Sequence, residues 1–258
     1  ENTMTLEIVT IPCLSDNYSY LVHDPASGET AVVDAPEAEP ILQALENRGW
    51  ALTHILLTHH HYDHIDGVPA LLEKYSAKVI GAAADAHRLP PLDMAVSEGD
   101  TVNIGDETGH VIDVSGHTVG HIAFHFPDSA VVFTADSLMS LGCGRLFEGS
   151  APQMWDSLSK LAALPGDTTV CSGHEYTQSN AKFALTIDPD NSALISRVNA
   201  VNDARSAGQP TVPSILSDEL ATNPFLRASD PAIRAHLGLT SASDAEVFAE
   251  IRARKDRF

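Results

Sequence analysis

The run His59-His60-His61-Tyr62-Asp63-His64 follows directly on Ala51-Leu52-Thr53-His54-Ile55-Leu56-Leu57-Thr58. A short, largely apolar segment of this kind reads as a buried strand. Side chains in the order His-x-His-x-Asp-His stand where that strand must end. In extended backbone, alternate residues point to one side, so His59 and His61 can reach a single ion. Asp63 and His64 lie where the chain turns and can reach a second ion beside the first, with His60 and Tyr62 as spacers. The bland alternative is a surface histidine run, but an affinity tag has no reason to sit mid-chain behind a strand. The pattern points to a two-metal hydrolytic site and requires a fold that holds a strand end rigid.

Three other candidate strands end the same way. His110–Val114 runs into Ser115-Gly116-His117, Ala130–Thr134 into Ala135-Asp136, and Thr169–Cys171 into Ser172-Gly173-His174. Sheets containing parallel strands place ligand sites at such C-terminal edges, where loops vary and strands hold them. Glycines 116 and 173 let the backbone turn tightly beside each histidine. One buried His or Asp at a strand end is usually a hydrogen-bonded structural residue; four such ends together indicate a site. His59, His61, Asp63, His64, His117, Asp136 and His174 offer only nitrogen and oxygen donors, a set that suits Zn, Fe or Mn. Zinc is the first choice because it supplies Lewis acidity without redox chemistry. Asp136, the one carboxylate outside the opening run, is the natural bridge between two ions. His23, His54, His60, His87, His110, His121, His125 and His236 lack the pattern and read as core, surface or supporting residues.

Further candidate strands are Leu6–Thr10, Ser19–His23, Thr30–Val33, Lys78–Gly81 and His121–Phe126, with helices at Glu37–Arg48, Gly67–Tyr75 and Gln153–Ala163. Early strands joined by tight turns, then strands interleaved with helices, predict a layered α/β domain with mixed sheets. After about residue 175 the texture becomes helical, with Thr177–Leu185, Ser192–Ala207, Pro231–His236 and Asp244–Arg254 as candidates. Ser243 and Glu246 form a capping box for the last, Pro231 suits a first helical residue and Gly238 a stop. The expected division is a catalytic domain over 1–174 and a helical domain over 175–258.

At 258 residues and 43% hydrophobic content, core material is ample for one large domain or two small ones. No stretch of about twenty uncharged apolar residues occurs, so no transmembrane helix is expected. The start lacks the basic and apolar regions of a signal peptide; residues before Met4 read as an expression remnant, with a removed transit peptide left open. Three scattered cysteines without a Cys-x-x-Cys fit a reducing compartment, and a cytoplasmic location is expected. With 15 basic against 35 acidic residues, the net charge of −20 disfavours nucleic acid and anionic membranes as partners. Against that background, the end Arg252-Ala253-Arg254-Lys255-Asp256-Arg257-Phe258 is basic. It suits the negative end of a last helix, and equally an anion-binding patch.

At these residues the chain resembles the metallo-β-lactamase superfamily and, within it, the hydroxyacylglutathione hydrolase (glyoxalase II) family. The resemblance spans nearly the whole chain. Its specific stretches are Thr58–His64, Gly116–His121, Phe133–Asp136, Gly142–Gly149, Gly173–Thr177, Asn223–Arg227 and the basic end. It implies a four-layer αβ/βα sandwich followed by a helical domain, an α+β fold. It implies that His59, His61 and His117 hold one metal, Asp63, His64 and His174 the other, with Asp136 bridging. It also implies that Asp63 aims the attacking hydroxide, which makes Asp63 and Asp136 the candidate catalytic residues. Glutathione contacts carry over to Arg145, Tyr176, Arg252 and Lys255. Phe147 stands where the family commonly has tyrosine, so one hydroxyl is missing from that set.

The implied reaction is hydrolysis of a small-molecule glutathione thioester such as S-D-lactoylglutathione to glutathione and D-lactate, by a monomer with two divalent ions. Glutathione carries two carboxylates, and a cluster of Arg145, Arg252 and Lys255 would offset the overall negative charge. A glutathione persulfide dioxygenase with one iron would not need Asp63, His64 and His174 as a complete second set. A nuclease of this fold would need a basic surface, and a metallo-β-lactamase would lack the helical tail. A non-catalytic metal-binding protein is the alternative from another class.

Overall fold

The computed structural model describes residues 5–258, so the segment before Met4 lies outside the described residues. Contacts divide the chain into two compact units. One runs up to Asp113 and includes Gly120–Thr134; the other comprises Val114–Val119 and Ala135–Phe258.

The first unit opens with β1 (Glu7–Cys13), β2 (Asn17–His23) and β3 (Thr30–Val33), paired antiparallel in that order. Helix α1 (Glu39–Arg48) ends at Gly49, whose left-handed φ of 66° turns the chain back, Gly49 N–H donating to Glu46 O and Trp50 N–H to Leu45 O. It leads to β4 (His54–Leu56), parallel to β3. After α2 (Tyr62–Ile65) and α3 (Val68–Lys74) come β5 (Lys78–Ala82) and β6 (Met94–Val96), both added parallel. Ile41 and Leu45 of α1 and Val68 and Leu71 of α3 bury against Leu21, Val32, Ile55 and Val79 of this mixed sheet. Burying each such side chain contributes about 1.5–3 kcal/mol, which fixes β3 and β4 side by side. A second, antiparallel group follows: β7 (Thr101–Ile104), β8 (Glu107–Asp113), β9 (Ile122–Phe126) and β10 (Val131–Ala135), the last residue of which belongs to the other unit.

The second unit contains the hairpin β11 (Leu138–Met139) and β12 (Gly142–Cys143), helix α4 (Ala151–Ala162) and strand β13 (Thr169–Ser172). Beyond these lie α5 (Thr177–Ile187), α6 (Ser192–Ser206), β14 (Ser214–Ile215), α7 (Leu216–Thr222), α8 (Pro231–Leu237) and α9 (Asp244–Arg257). β14 pairs antiparallel with β13. The expected capping box of Ser243 and Glu246 forms, and Gly238 ends α8 with φ 71°. Phe225 lies between Phe183 (5.9 Å) and Phe248 (6.0 Å), and Trp155 of α4 meets Phe248 of α9 at 5.8 Å. Phe183, Phe225 and Phe248 are fully buried, and Leu141, Ala181, Ala184, Leu194 and Val198 form an apolar cluster of the same unit. The segment after Asp113 joins this unit because Ser157 of α4 donates to Ser115 O and Gly149 N–H to Gly116 O.

Several sequence boundaries shift. β4 stops at Leu56 rather than Thr58, because the Thr58 N–H donates to the Asp34 side chain instead of a ladder partner. β6, β7 and α7 were not predicted; each is too short for its hydrophobic period to show. Among the described residues, no helix is long and apolar enough to cross a membrane.

Candidate metal centre

Each unit carries one part of the predicted donor set. In the first, His59 and His64 are buried, while His61 and Asp63 are half-buried. His59 and His61 offer donor atoms within 4.8 Å of each other, as do Asp63 and His64. What orients them is Asp34, which sits just past β3 with a left-handed φ of 59°. Its Oδ1 accepts from Thr58 N–H (2.8 Å) and its Oδ2 from the Thr58 hydroxyl (2.7 Å). Oδ2 also accepts from Nδ1 of His64 (2.7 Å). A carboxylate only accepts, so His64 carries its hydrogen on Nδ1 and presents the Nε2 lone pair. The Thr58 hydroxyl has already given its hydrogen to Asp34. It therefore accepts from His59 Nδ1 (2.9 Å), and His59 also presents Nε2. One carboxylate thus sets the tautomers of two histidines. Asn17 orients Asp63, donating through Nδ2 to its Oδ2 and to its carbonyl, both at 3.0 Å. His121, read from sequence as a supporting residue, stacks on His59 at 4.5 Å.

In the second unit His117, Asp136 and His174 are all buried. Oδ2 of Asp136 faces two imidazoles, with His174 Nε2 at 3.3 Å and His117 Nε2 at 3.5 Å. One oxygen shared between two Nε2 atoms is the arrangement a bridging carboxylate needs. His117 Nδ1 donates to the carbonyl of Arg145 at 2.7 Å, which fixes its tautomer as well. Asp136 follows Ala135, whose left-handed φ of 45° costs about 1–2 kcal/mol for a residue with a Cβ. Glycine is required nearby for space. A Cβ on Gly144 would come within 1.8 Å of the Asp136 carbonyl oxygen and 3.0 Å of His117 Nδ1. Gly144→Ala is therefore expected to destabilise the fold by about 3 kcal/mol in urea unfolding and to lower the metal content of the folded protein.

The predicted substrate residues all lie in this second unit. Arg145 and Phe147 are exposed, the Phe147 ring meeting His117 edge-on at 5.2 Å. Tyr176 stacks on His174 at 4.6 Å and keeps an exposed edge. Lys255 is half-buried, and burial first, then the Arg252 and Arg145 guanidinium groups, push its ammonium down from the ordinary lysine range. Arg252 departs from an open basic patch. It is buried, donating to Cys143 O (2.9 Å) and Asp256 Oδ1 (2.8 Å) and packing over Phe225 at 5.2 Å. Asp256 in turn lies 3.7 Å from Arg145 Nε and links the two arginines. All three cysteines are reduced and buried, and burial pushes each thiol up, Cys13 to about 12. They remain protonated, unsuited to act as nucleophiles or metal ligands.

Residues 15–174 match the family described as the metallo-beta-lactamase superfamily, and residues 175–258 match the hydroxyacylglutathione hydrolase C-terminus. A hydroxyacylglutathione hydrolase from Ruegeria pomeroyi is 67% identical over 255 residues, covering 99% of this chain and 100% of that protein. One from Rhodobacter capsulatus is 57% identical over 256 residues, with the same coverage of 99% and 100%. The chain belongs to the hydroxyacylglutathione hydrolase family.

Among solved structures, this member of the hydroxyacylglutathione hydrolase family is similar to ETHE1 from Myxococcus xanthus. The TM-score is 0.68 at 26% identity, over 97% of this chain and 90% of that one. It is also similar to the BLEG-1 B3 metallo-beta-lactamase, with TM-score 0.67 at 22% identity, over 86% and 100% of the two chains. The fold is therefore the α+β metallo-β-lactamase fold with a helical C-terminal region. The His and Asp clusters suit a pair of divalent metals, since every donor is an imidazole nitrogen or carboxylate oxygen. Sequence reasoning missed Asp34, Thr58, Asn17 and Asp256. Asp34 carried a signal, because it directly follows the candidate strand Thr30–Val33, a fifth strand end of the same kind.

Proposed function

We propose that the protein hydrolyses S-(2-hydroxyacyl)glutathione, such as S-D-lactoylglutathione, with His59, His61 and His117 holding one ion and Asp63, His64 and His174 the other. Asp136 would serve both. The observation that carries this reading is Oδ2 of Asp136 facing both His117 and His174. Kinship to hydroxyacylglutathione hydrolases over 99% of the chain supports the substrate class. Zinc is the proposed metal on donor chemistry; a related structure, TTHA1623 (27% identical, TM-score 0.60), was solved in a di-iron-bound form, so iron competes.

Two such ions supply Lewis acidity to a carbonyl and lower the pKa of water toward about 7. This chain's residues do the remainder. Asp34 and Thr58 hold His59 and His64 in one tautomer, and Asn17 holds Asp63 so that its carboxylate can orient a water by hydrogen bonding. The departing thiol has an ordinary pKa of about 8.5 and needs little acid assistance. That matches a chain whose own thiols are held protonated. Arg145 and Lys255 offer cations to the glutathione carboxylates, and Tyr176 offers a hydroxyl. Phe147 contributes only its ring face. Arg252 acts behind them, holding Asp256 and the Cys143 carbonyl. Residues 175–258 are the proposed substrate-binding region, and the protein works as a monomer in a reducing cytoplasm, without nucleic-acid or membrane partners.

Purified protein is expected to hydrolyse S-D-lactoylglutathione and to lose that activity on dialysis against a chelator. Turnover retained by metal-free protein would end the two-metal account. The double variant Arg145→Ala and Lys255→Ala should raise KM at least about tenfold, from the loss of charge-assisted hydrogen bonds. Its kcat should change far less, as loss of uniform binding dictates. An unchanged KM would show that these cations do not hold the substrate carboxylates.

A further inference from the structure

The motif Asn223-Pro224-Phe225-Leu226-Arg227 and the buried Glu219 have no part in the chemistry above, yet both meet one short backbone segment. That segment is the hairpin turn joining β11 to β12, Met139 to Gly142, and it is buried throughout. Buried irregular backbone must find partners for its peptide groups without water. Here the partners are side chains from beyond residue 175. Asn223 Nδ2 donates to Met139 O (3.1 Å) and Gly142 O (3.0 Å). Asn180 Nδ2 donates to Ser140 O (3.1 Å). Leu141 N–H donates to Glu219 Oε1 (2.9 Å), and Asn223 Nδ2 also reaches that oxygen (3.2 Å). Glu219 is itself held by Arg197. The next carbonyl, that of Cys143, accepts from Arg252.

These side-chain bonds hold Leu141 in the left-handed region at φ 57°, a conformation persisting only where its surroundings over-determine it. The effect reaches the candidate metal centre through two steps of backbone. Gly144 N–H donates to Ser137 O (3.0 Å), next to Asp136, and the Arg145 carbonyl accepts from Nδ1 of His117 (2.7 Å). We propose that Asn223, with Glu219 and Asn180, is a positioning residue for the metal centre. By fixing the 139–142 turn it places the Arg145 carbonyl on His117, and so holds that ligand's tautomer and aim. The helical region thus serves the metal ligands as well as the substrate. The inference rests on the reading of His117 as a ligand. Wild-type protein that takes up no metal would undo that reading, whereas the variants below test the clamp separately.

Asn223→Asp keeps the acceptor that caps Phe225 N–H (3.0 Å) but replaces the donor by an oxygen facing two carbonyls and a carboxylate. Two readouts decide. One is the histidine-ring nitrogen NMR spectrum of the metal-free protein, in which wild-type His117 should show a single Nδ1–H form. The other is the rate of zinc loss from loaded protein to a chelator. Asn223→Asp should give His117 mixed tautomers and speed zinc loss about tenfold, the low end for residues behind a ligand. KM should stay near the wild-type value while kcat falls. A variant with a lowered unfolding midpoint but wild-type ring spectrum and zinc-loss rate would show the clamp to be only structural, overturning the proposal. If Asn223→Asp does not fold, Asn180→Ala decides by the same readouts. It removes one bond from the turn and should speed zinc loss about threefold; no change would overturn the proposal.

Discussion

Asp136→Ala is expected to abolish thioester turnover and metal content together. The substitution removes the single oxygen that His117 and His174 both face, at 3.5 and 3.3 Å. Without it, two imidazoles remain with nothing negative between them to draw two cations into proximity. The loss in metal affinity should exceed about a hundredfold, the upper range seen when only a residue behind a ligand is changed. Metal analysis after gel filtration, with turnover measured on the same sample, checks both effects. A variant that keeps two equivalents of metal while losing activity would assign Asp136 a role in the chemistry alone. Asp136→Asn is the sharper comparison, because it keeps size and burial while removing charge. It should retain the fold and still lose metal.

Asp34→Ala should have the second largest effect, and on stability as well as metal binding. Three donors lose their acceptor at once: Thr58 N–H, the Thr58 hydroxyl and His64 Nδ1–H. Each buried donor left without a partner costs about 1–3 kcal/mol. Alanine also lacks the side-chain hydrogen bonds that help Asp34 hold its left-handed φ of 59°. Some of this is relieved by water entering, so a net loss of about 3–5 kcal/mol is expected in denaturant unfolding. Metal affinity should fall tenfold to about a hundredfold as His59 and His64 lose their fixed tautomers. Asp34→Asn is not a rescue. Its amide must turn an NH2 toward one of the three donors, so it should fall between wild type and alanine. Equal stability of Asn and Asp at this position would contradict the hydrogen-bond chain.

Much of the candidate centre was legible because strand ends mark it in the sequence. The opening histidine run, Gly116-His117, Ala135-Asp136 and Gly173-His174 each follow an apolar, β-branched stretch whose period identifies it. Asp34 was equally placed, but an isolated aspartate after a strand looks like any turn residue. Its role depends on β3 and β4 lying parallel and adjacent, so that Asp34 meets Thr58 and His64 across the pair. That adjacency comes from the burial of α1 and α3 against the sheet. The helical C-terminal region was legible in outline through capping, with Ser243, Pro231 and Gly238 in their expected places. Short elements such as β7 and α7 were not, since a few residues cannot display a period.

The basic end shows where sequence reading reaches its limit. Charge count suggested that Arg145, Arg252 and Lys255 form one patch. Burial separated them: Arg252 turns inward to Cys143 O and Asp256, while Arg145 faces solvent and Lys255 is half-buried. Chemical type and spacing by themselves pointed to the family, to candidate nitrogen and oxygen donors, and to the helical texture after about residue 175. Only the folded chain decided which nitrogen His59, His64 and His117 present, which arginine is buried, and which polar side chains hold the 139–142 turn. Donor identity is a property of the residue, but tautomer, burial and hydrogen-bond partner are set by neighbours distant in sequence.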